Sequence, residues 1–239
     1  MHLNNRVALV TGGSKRIGRA IVQELADSGF DVLYTTRDQR AADAPASGKG
    51  RIVPITLDVT ALPQSADALL ETVQQSFGRL DVLVHNASIY DDGRLSHTSL
   101  RLIRRVNRVH IEVPIVLTKA FAQLLRASKG HVINMIDAGI DRPMPAYLAY
   151  SASKAALANL TISMARELAP EVTVNGVAPG VLEWPPGFPE HDKDAYVART
   201  PLARTGTPAD AARLVRYLAT EGSYITGQII RVDGGRSII

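Results

Sequence analysis

The chain has 239 residues, 46% of them aliphatic or aromatic, with 27 basic and 23 acidic side chains for a net charge of +4. That length and apolar content suit one α/β domain over 1–239, and the small positive surplus is scattered rather than gathered into a tract, which argues against nucleic-acid binding and suits an anionic cofactor. The lack of cysteine excludes disulfides, thiolate nucleophiles and zinc–thiolate sites. No apolar run reaches membrane-spanning length and residues 1–6 carry no signal-like stretch, so a cytoplasmic protein with no membrane partner is expected.

Strands and helices alternate from the start. Residues 6–11 (RVALVT) read as a short apolar strand ending at glycines, and 16–28 as a helix with apolar spacing at Ile17, Ala20, Ile21 and Leu25. Strands follow at 31–36 and 51–57, a helix at 63–77, a strand at 81–85, a long helix at 98–127 and a strand at 130–136. A second long helix spans 147–169, then a strand at 172–177, a helix at 208–219 and a last strand at 228–232. Several strands are apolar throughout, as strands buried on both faces must be. The alternation implies parallel pairing with right-handed crossovers, hence a Rossmann-type, doubly wound sheet of seven strands with helices on both faces. Residues 37–50 and 179–207 read as loops, the second proline-rich and placed to act as a lid or as a plain surface insertion. No internal repeat is present.

The first strand runs into Thr11-Gly12-Gly13-Ser14-Lys15-Arg16-Ile17-Gly18 and then a helix. Glycines let the backbone turn tightly and approach a pyrophosphate, and the helix N-terminus offers free N–H groups. Arg37 ends the second strand, 19 residues after Gly18. An acidic residue there would hold the ribose 2′-hydroxyl of NAD, whereas arginine suits the 2′-phosphate of NADP. Lys15 and Arg16 add charge beside the same pocket, so NADPH is the expected cofactor, with Asp38 a competing ribose ligand. Asp58-Val59 and Asn86-Ala87-Ser88 follow the third and fourth strands, at the sheet end where such folds bind ligands; Asp58 would alternatively cap the next helix.

Tyr150 and Lys154 lie four apart at the start of a long helix and share a face. A neighbouring ammonium favours the phenolate, so Tyr150 is expected to move a proton near neutral pH.

The Gly-rich turn, Asn86-Ala87, Asn107, Tyr150/Lys154 and Pro179-Gly180 stand in the order of the short-chain dehydrogenase/reductase family, which the chain resembles along nearly its whole length. The resemblance implies that Tyr150 donates the proton, Lys154 orients the nicotinamide ribose, Asn107 holds a relay water, and Pro179-Gly180 border the nicotinamide. It also implies a dimer face on the two long helices within a homotetramer; Val113, Ile115, Val116, Leu157 and Leu160 fit either that face or an ordinary core.

Three positions depart from the family pattern. Arg16 and Ser88 stand where glycine is usual, and Asp137, thirteen residues before Tyr150, stands where a serine usually donates to a carbonyl oxygen. An ionised carboxylate only accepts hydrogen bonds, and it repels an oxygen gaining negative charge. A C=N bond, activated by protonation, removes that conflict, because an iminium is stabilised beside a carboxylate and Asp137 can share a proton with Tyr150. Lys15-Arg16-Ile17-Gly18, Asn86-Ala87-Ser88 and Ile133 to Ala138 resemble the pteridine reductase branch, including dihydromonapterin reductases. That resemblance implies a dihydropterin stacked between Tyr90 and the nicotinamide, with Ser88 bonding it or a cofactor phosphate and Tyr147 lining the pocket. The branch usually has asparagine at His85, here read as a packed strand-end histidine. Trp184 is expected either to cover the substrate or simply to pack, and Asp141 and Arg142 to lie near the pocket without an assigned role. The resulting expectation is NADPH-dependent reduction of a dihydropterin, with dihydrofolate a further substrate. Its alternatives are a carbonyl reductase acting on a 3-oxoacyl thioester or small ketone, and a cofactor-binding regulator without turnover.

Overall fold

The computed structural model describes residues 5–38, 48–184 and 187–239. Residues 1–4, most of the 37–50 loop and residues 185–186 of the 179–207 loop lie outside the described residues. Seven strands form one sheet in the order β3-β2-β1-β4-β5-β6-β7, every neighbouring pair parallel. They are β1 (Val7–Val10), β2 (Asp31–Thr36), β3 (Ile52–Thr56), β4 (Val82–His85), β5 (His131–Met135), β6 (Thr173–Pro179) and β7 (Ile229–Val232). Among the described residues there are seven α-helices: α1 (Arg16–Asp27), α2 (Gln64–Ser76), α3 (Leu100–Asn107), α4 (Val113–Ser128), α5 (Leu148–Leu168), α6 (Glu190–Ala198) and α7 (Pro208–Thr220). The sheet is covered by α1 and α7 on one face and by α2, α4 and α5 on the other.

The period-2 geometry of a strand divides the core. Ala8 and Val10 of β1 pack with Val32 and Tyr34 of β2 under α1 and α7. Val7 and Leu9 face the other way, with Leu33, under α2, α4 and α5. Central strands β1, β2 and β4 are buried at every position, the polar Asp31, Thr35, Thr36 and His85 included, while edge strands β3 and β7 are partly exposed. Strand order reverses between β2-β1 and β4, so the C-terminal ends of β1 and β4 splay apart into a crevice.

Two sequence expectations need correction. The 179–207 segment is not all loop: α6 forms within it, with Pro189 at its N-cap and Glu190 and Asp192 in its first turn, where acids complement the helix dipole. The 98–127 segment is one helical stretch, over 100–128, but it is not α throughout. A five-residue π-turn, Arg108–Glu112, separates α3 from α4. Pro114 has no N–H to give the carbonyl four residues back, at His110, which favours a wider turn there.

Candidate active site

A cleft of about 990 Å³ opens along the C-terminal ends of the strands. Every residue expected to hold cofactor or substrate borders it, except Asn107 and the competing ribose ligand Asp38.

At one end the β1–α1 turn carries Gly12 at φ +68°, and a Cβ there would stand 3.0 Å from the Ala87 Cα. A Cβ on Gly18 would fall 2.2 Å from the Gly12 carbonyl oxygen and 2.5 Å from Asn86 Nδ2. The turn is therefore packed shut from beneath. Asn86 fixes it by donating from Nδ2 to the Thr11 and Gly12 carbonyls at 3.0 and 2.9 Å. No side chain caps α1 at Lys15 and its first turn holds no acid, so its N–H groups are left for a ligand beside Ser14, Lys15, Arg16 and Ile17. This cradle fits the pyrophosphate of a dinucleotide. Arg37, Asp58 and Val59 line the far end. Asp58 accepts from the Thr60 N–H and hydroxyl at 2.9 and 2.8 Å, capping a turn before α2 rather than the helix itself. Burial pushes its carboxyl up, but those bonds and the charges of Arg37 and Arg108 hold it below the usual range.

Arg16 reaches across the cleft, its backbone left-handed at φ +52°. Its Nε stands 3.3 Å from Glu183 Oε2 and Nη2 donates to the Glu183 carbonyl at 3.1 Å. The expected cofactor cation is thus tied to the segment after β6.

At the other end α5 buries Tyr150 and Lys154 on one face. Lys154 donates from Nζ to the Met135 carbonyl at 2.7 Å and lies 5.8 Å from the Tyr150 ring centroid. Burial lowers its pKa to about 8, against the opposing pull of Asp137. The Tyr150 hydroxyl donates to Asp137 Oδ2 at 2.8 Å, while Asp137 Oδ1 accepts from the Gly139 N–H at 2.7 Å and caps a short 3-10 turn, Ala138–Asp141. The expected lowering of the phenol's pKa is overturned here: burial first, then the Asp137 charge, raise it well above its ordinary value. Asp137 is nearer the phenol's proton than the ammonium is, and a carboxylate holds that proton in place.

Tyr90 stacks on Tyr147 (4.3 Å between centroids, 17° between planes) and meets Tyr150 edge-on at 4.8 Å. Tyr147 therefore does line the pocket, and one face of Tyr90 is already covered. Facing them, Trp184 stacks on Phe188 at 4.7 Å and meets Tyr196 edge-on at 5.4 Å, so it packs and forms the cleft wall at once. Arg236 lies over the Tyr196 ring. Pro179 and Gly180 border the cleft between these ends; a Cβ on Gly180 would meet the Tyr196 hydroxyl at 2.9 Å. Arg142 lines the cleft, whereas Asp141 turns away to pair with Arg231. His85 is buried below the cleft, 3.0 Å from the Thr118 hydroxyl, with burial lowering its pKa to about 3.

The structure does not bring Asn107 to the site. It ends α3 half-buried, and the π-turn carries His110 beneath Tyr150 instead, with ring centroids 5.7 Å apart. His110 and its partner Ser153 are functional candidates that the sequence reading missed; a histidine four residues before a proline inside a helical stretch was the available signal.

Comparison with known proteins gives a consistent class. A family model described as Enoyl-(Acyl carrier protein) reductase matches residues 12–237. The chain is 34% identical to the 3-oxoacyl-[acyl-carrier-protein] reductase FabG of Vibrio cholerae over 100% of both chains, and 32% identical to that of Escherichia coli, again over 100% of both. It is 34% identical to a galactitol 2-dehydrogenase of Agrobacterium fabrum, covering 98% of each chain. With its parallel seven-stranded sheet, glycine cradle and Tyr150/Lys154 pair, the chain belongs to the short-chain dehydrogenase/reductase family of oxidoreductases.

Proposed function

We propose that the protein uses NADPH to reduce a C=N bond in a dihydropterin-type ring. The observation that carries this reading is the 2.8 Å hydrogen bond from Tyr150 to Asp137. A carboxylate at the reacting end stabilises a protonated C=N group and opposes a developing alkoxide. Bound NADPH would supply the hydride. Lys15, Arg16 and Arg37 offer cations for its phosphates, and the α1 N-terminus offers N–H groups for its pyrophosphate. Lys154, fixed by the Met135 carbonyl, would orient its ribose. Tyr150 and Asp137 together hold one proton at the reacting end, ready to pass to the ring nitrogen. Tyr90 and Trp184 give the flat ring aromatic walls.

A second reading, reduction of a 3-oxoacyl thioester or another carbonyl, is favoured by the names of the relatives above. In it Tyr150 would protonate the carbonyl oxygen, against the Asp137 charge. NADPH oxidation followed with a 7,8-dihydropterin and with a 3-oxoacyl thioester separates the two. Turnover of the dihydropterin alone supports the first reading, and turnover of the thioester alone replaces it with the second.

The same family membership supports a homotetramer built on α4 and α5. Ile115 and Ile162 are 40% and 45% exposed on those helices, an apolar cost that a partner copy would remove. Light scattering on the eluting protein tests the subunit number.

A further inference from the structure

His110 is 1% exposed and both of its ring nitrogens are engaged. On one side the Ile89 backbone N–H points at Nε2 from 3.3 Å, and an amide N–H can only donate. Nε2 is therefore the bare nitrogen, and the Ser88 hydroxyl, 2.9 Å from it, must donate to it as well. The other side gives the same answer independently. Ser153 spends its hydroxyl hydrogen on the Tyr150 backbone carbonyl at 2.7 Å, and a carbonyl can only accept. Ser153 then accepts from His110 Nδ1–H at 2.7 Å. Burial, with the nearby Lys154 charge, lowers the His110 pKa to about 2, so the ring stays neutral with its one hydrogen on Nδ1.

Ser88 borders the cleft. Its single hydroxyl hydrogen is committed inward, so what it turns to the cleft is lone pairs. We infer that His110 is a positioning residue that fixes the Ser88 hydroxyl as a hydrogen-bond acceptor, so that the substrate group lying against Ser88 is an N–H donor. This rests on the proposed reading of an amino-substituted ring substrate. A phosphate or carbonyl oxygen has no hydrogen to give, so Ser88 is not a phosphate ligand. An acyl chain has none either. Two acceptors, Ser88 Oγ and the Asp137 carboxylate, then reject groups that only accept, because an acceptor facing an acceptor is left unpaired and repelled, and on the proposed ring substrate the donors they meet are ring N–H or amino groups.

The test has two parts on the full chain. Nitrogen-15 NMR of histidine-labelled protein, with His110 identified by its loss in His110→Phe, is expected to show Nε2 unprotonated and Nδ1 protonated at neutral pH. A protonated Nε2 overturns the inference, whatever the enzyme turns over. The second part compares kcat/KM for a dihydropterin in wild type, Ser88→Ala and His110→Phe, with melting curves to establish folding. Ser88→Ala is expected to lose about three- to tenfold, the worth of one neutral hydrogen bond. His110→Phe frees the hydroxyl to rotate, and discrimination against a ring-N-methylated dihydropterin is expected to shrink in both variants. An unchanged ratio in Ser88→Ala overturns the donor requirement. If no dihydropterin is turned over while the Nδ1–H tautomer is observed, the proposed function fails but the acceptor polarity of Ser88 stands.

Discussion

The Tyr150 hydroxyl gives its hydrogen to Asp137 Oδ2 at 2.8 Å, so the phenol at the reacting end of the cleft is held protonated by a carboxylate. Removing that carboxylate should change which bond is reduced. Asp137→Ser is expected to cost about a hundredfold in kcat/KM on a dihydropterin, near 2.7 kcal/mol of transition-state stabilisation, and to raise activity on a ketone or 3-oxoacyl thioester. It should also lower the Tyr150 pKa from its raised value, although burial, the larger cause, persists. Steady-state kinetics on both substrates and an ultraviolet titration of tyrosine check this; full retention of dihydropterin activity would sink the C=N reading.

Lys154 sets a second pH dependence. Burial brings its pKa to about 8, so the cofactor-free protein loses that charge as pH rises through this value. Affinity for anionic NADPH is expected to be level below pH 8 and to fall above it, by at most tenfold per pH unit for one linked proton. Isothermal titration from pH 7 to 9.5 reads the bend, and Lys154→Met should bind weakly with no bend.

The buried histidines predict acid sensitivity. His85 and His110 have folded pKa values of about 3 and about 2, against about 6.5 unfolded. Their folded values are depressed, so between these limits the unfolded chain binds more protons. Stability is full above about pH 6.5 and declines as pH falls, by about 1.4 kcal/mol per pH unit for each histidine. Unfolding free energies from urea titrations at pH 7 and pH 5 should differ by on the order of 4 kcal/mol from this pair. His85→Phe should remove about half of the dependence.

The Arg16–Glu183 pair spans the cleft and is exposed on both sides. Such pairs are worth under about 1 kcal/mol, so Glu183→Gln should leave the melting temperature nearly unchanged. With the carboxylate charge gone and only the backbone carbonyl of residue 183 still holding it, Arg16 becomes more available to a phosphate, and NADPH is expected to bind about two- to fivefold tighter. The gain should vanish at ~1 M salt. Weaker NADPH binding would mean that Glu183 instead places Arg16 for the cofactor.

Arg37 at the far end of the cleft should decide between cofactors. Arg37→Glu is expected to lower kcat/KM with NADPH by at least about tenfold and to raise it with NADH, since an acid suits a ribose hydroxyl and repels a 2′-phosphate. Equal losses with both would point to a structural role beside Asp58.

Much of this molecule was legible in the sequence because it depends on local chemistry. The apolar cores of 7–10, 32–34 and 82–84 mark strands buried on both faces, and β2 spans the residues its pattern predicts. The glycines of the β1–α1 turn and the four-residue spacing of Tyr150 and Lys154 likewise follow from backbone geometry alone. Tertiary structure decided the rest. Whether Lys154 or Asp137 governs Tyr150 depends on which charge lies nearer the hydroxyl, and that is set by how β5 and α5 meet. The choice of His110 over Asn107 beneath Tyr150 turns on one widened helical turn, which rotates every later side chain in that helix. The sequence by itself determined the sheet, the glycine turn after β1 and the shared helix face of Tyr150 and Lys154. Only the packed structure decided the direction of each proton, because a hydrogen bond's polarity is fixed by the partner on its far side.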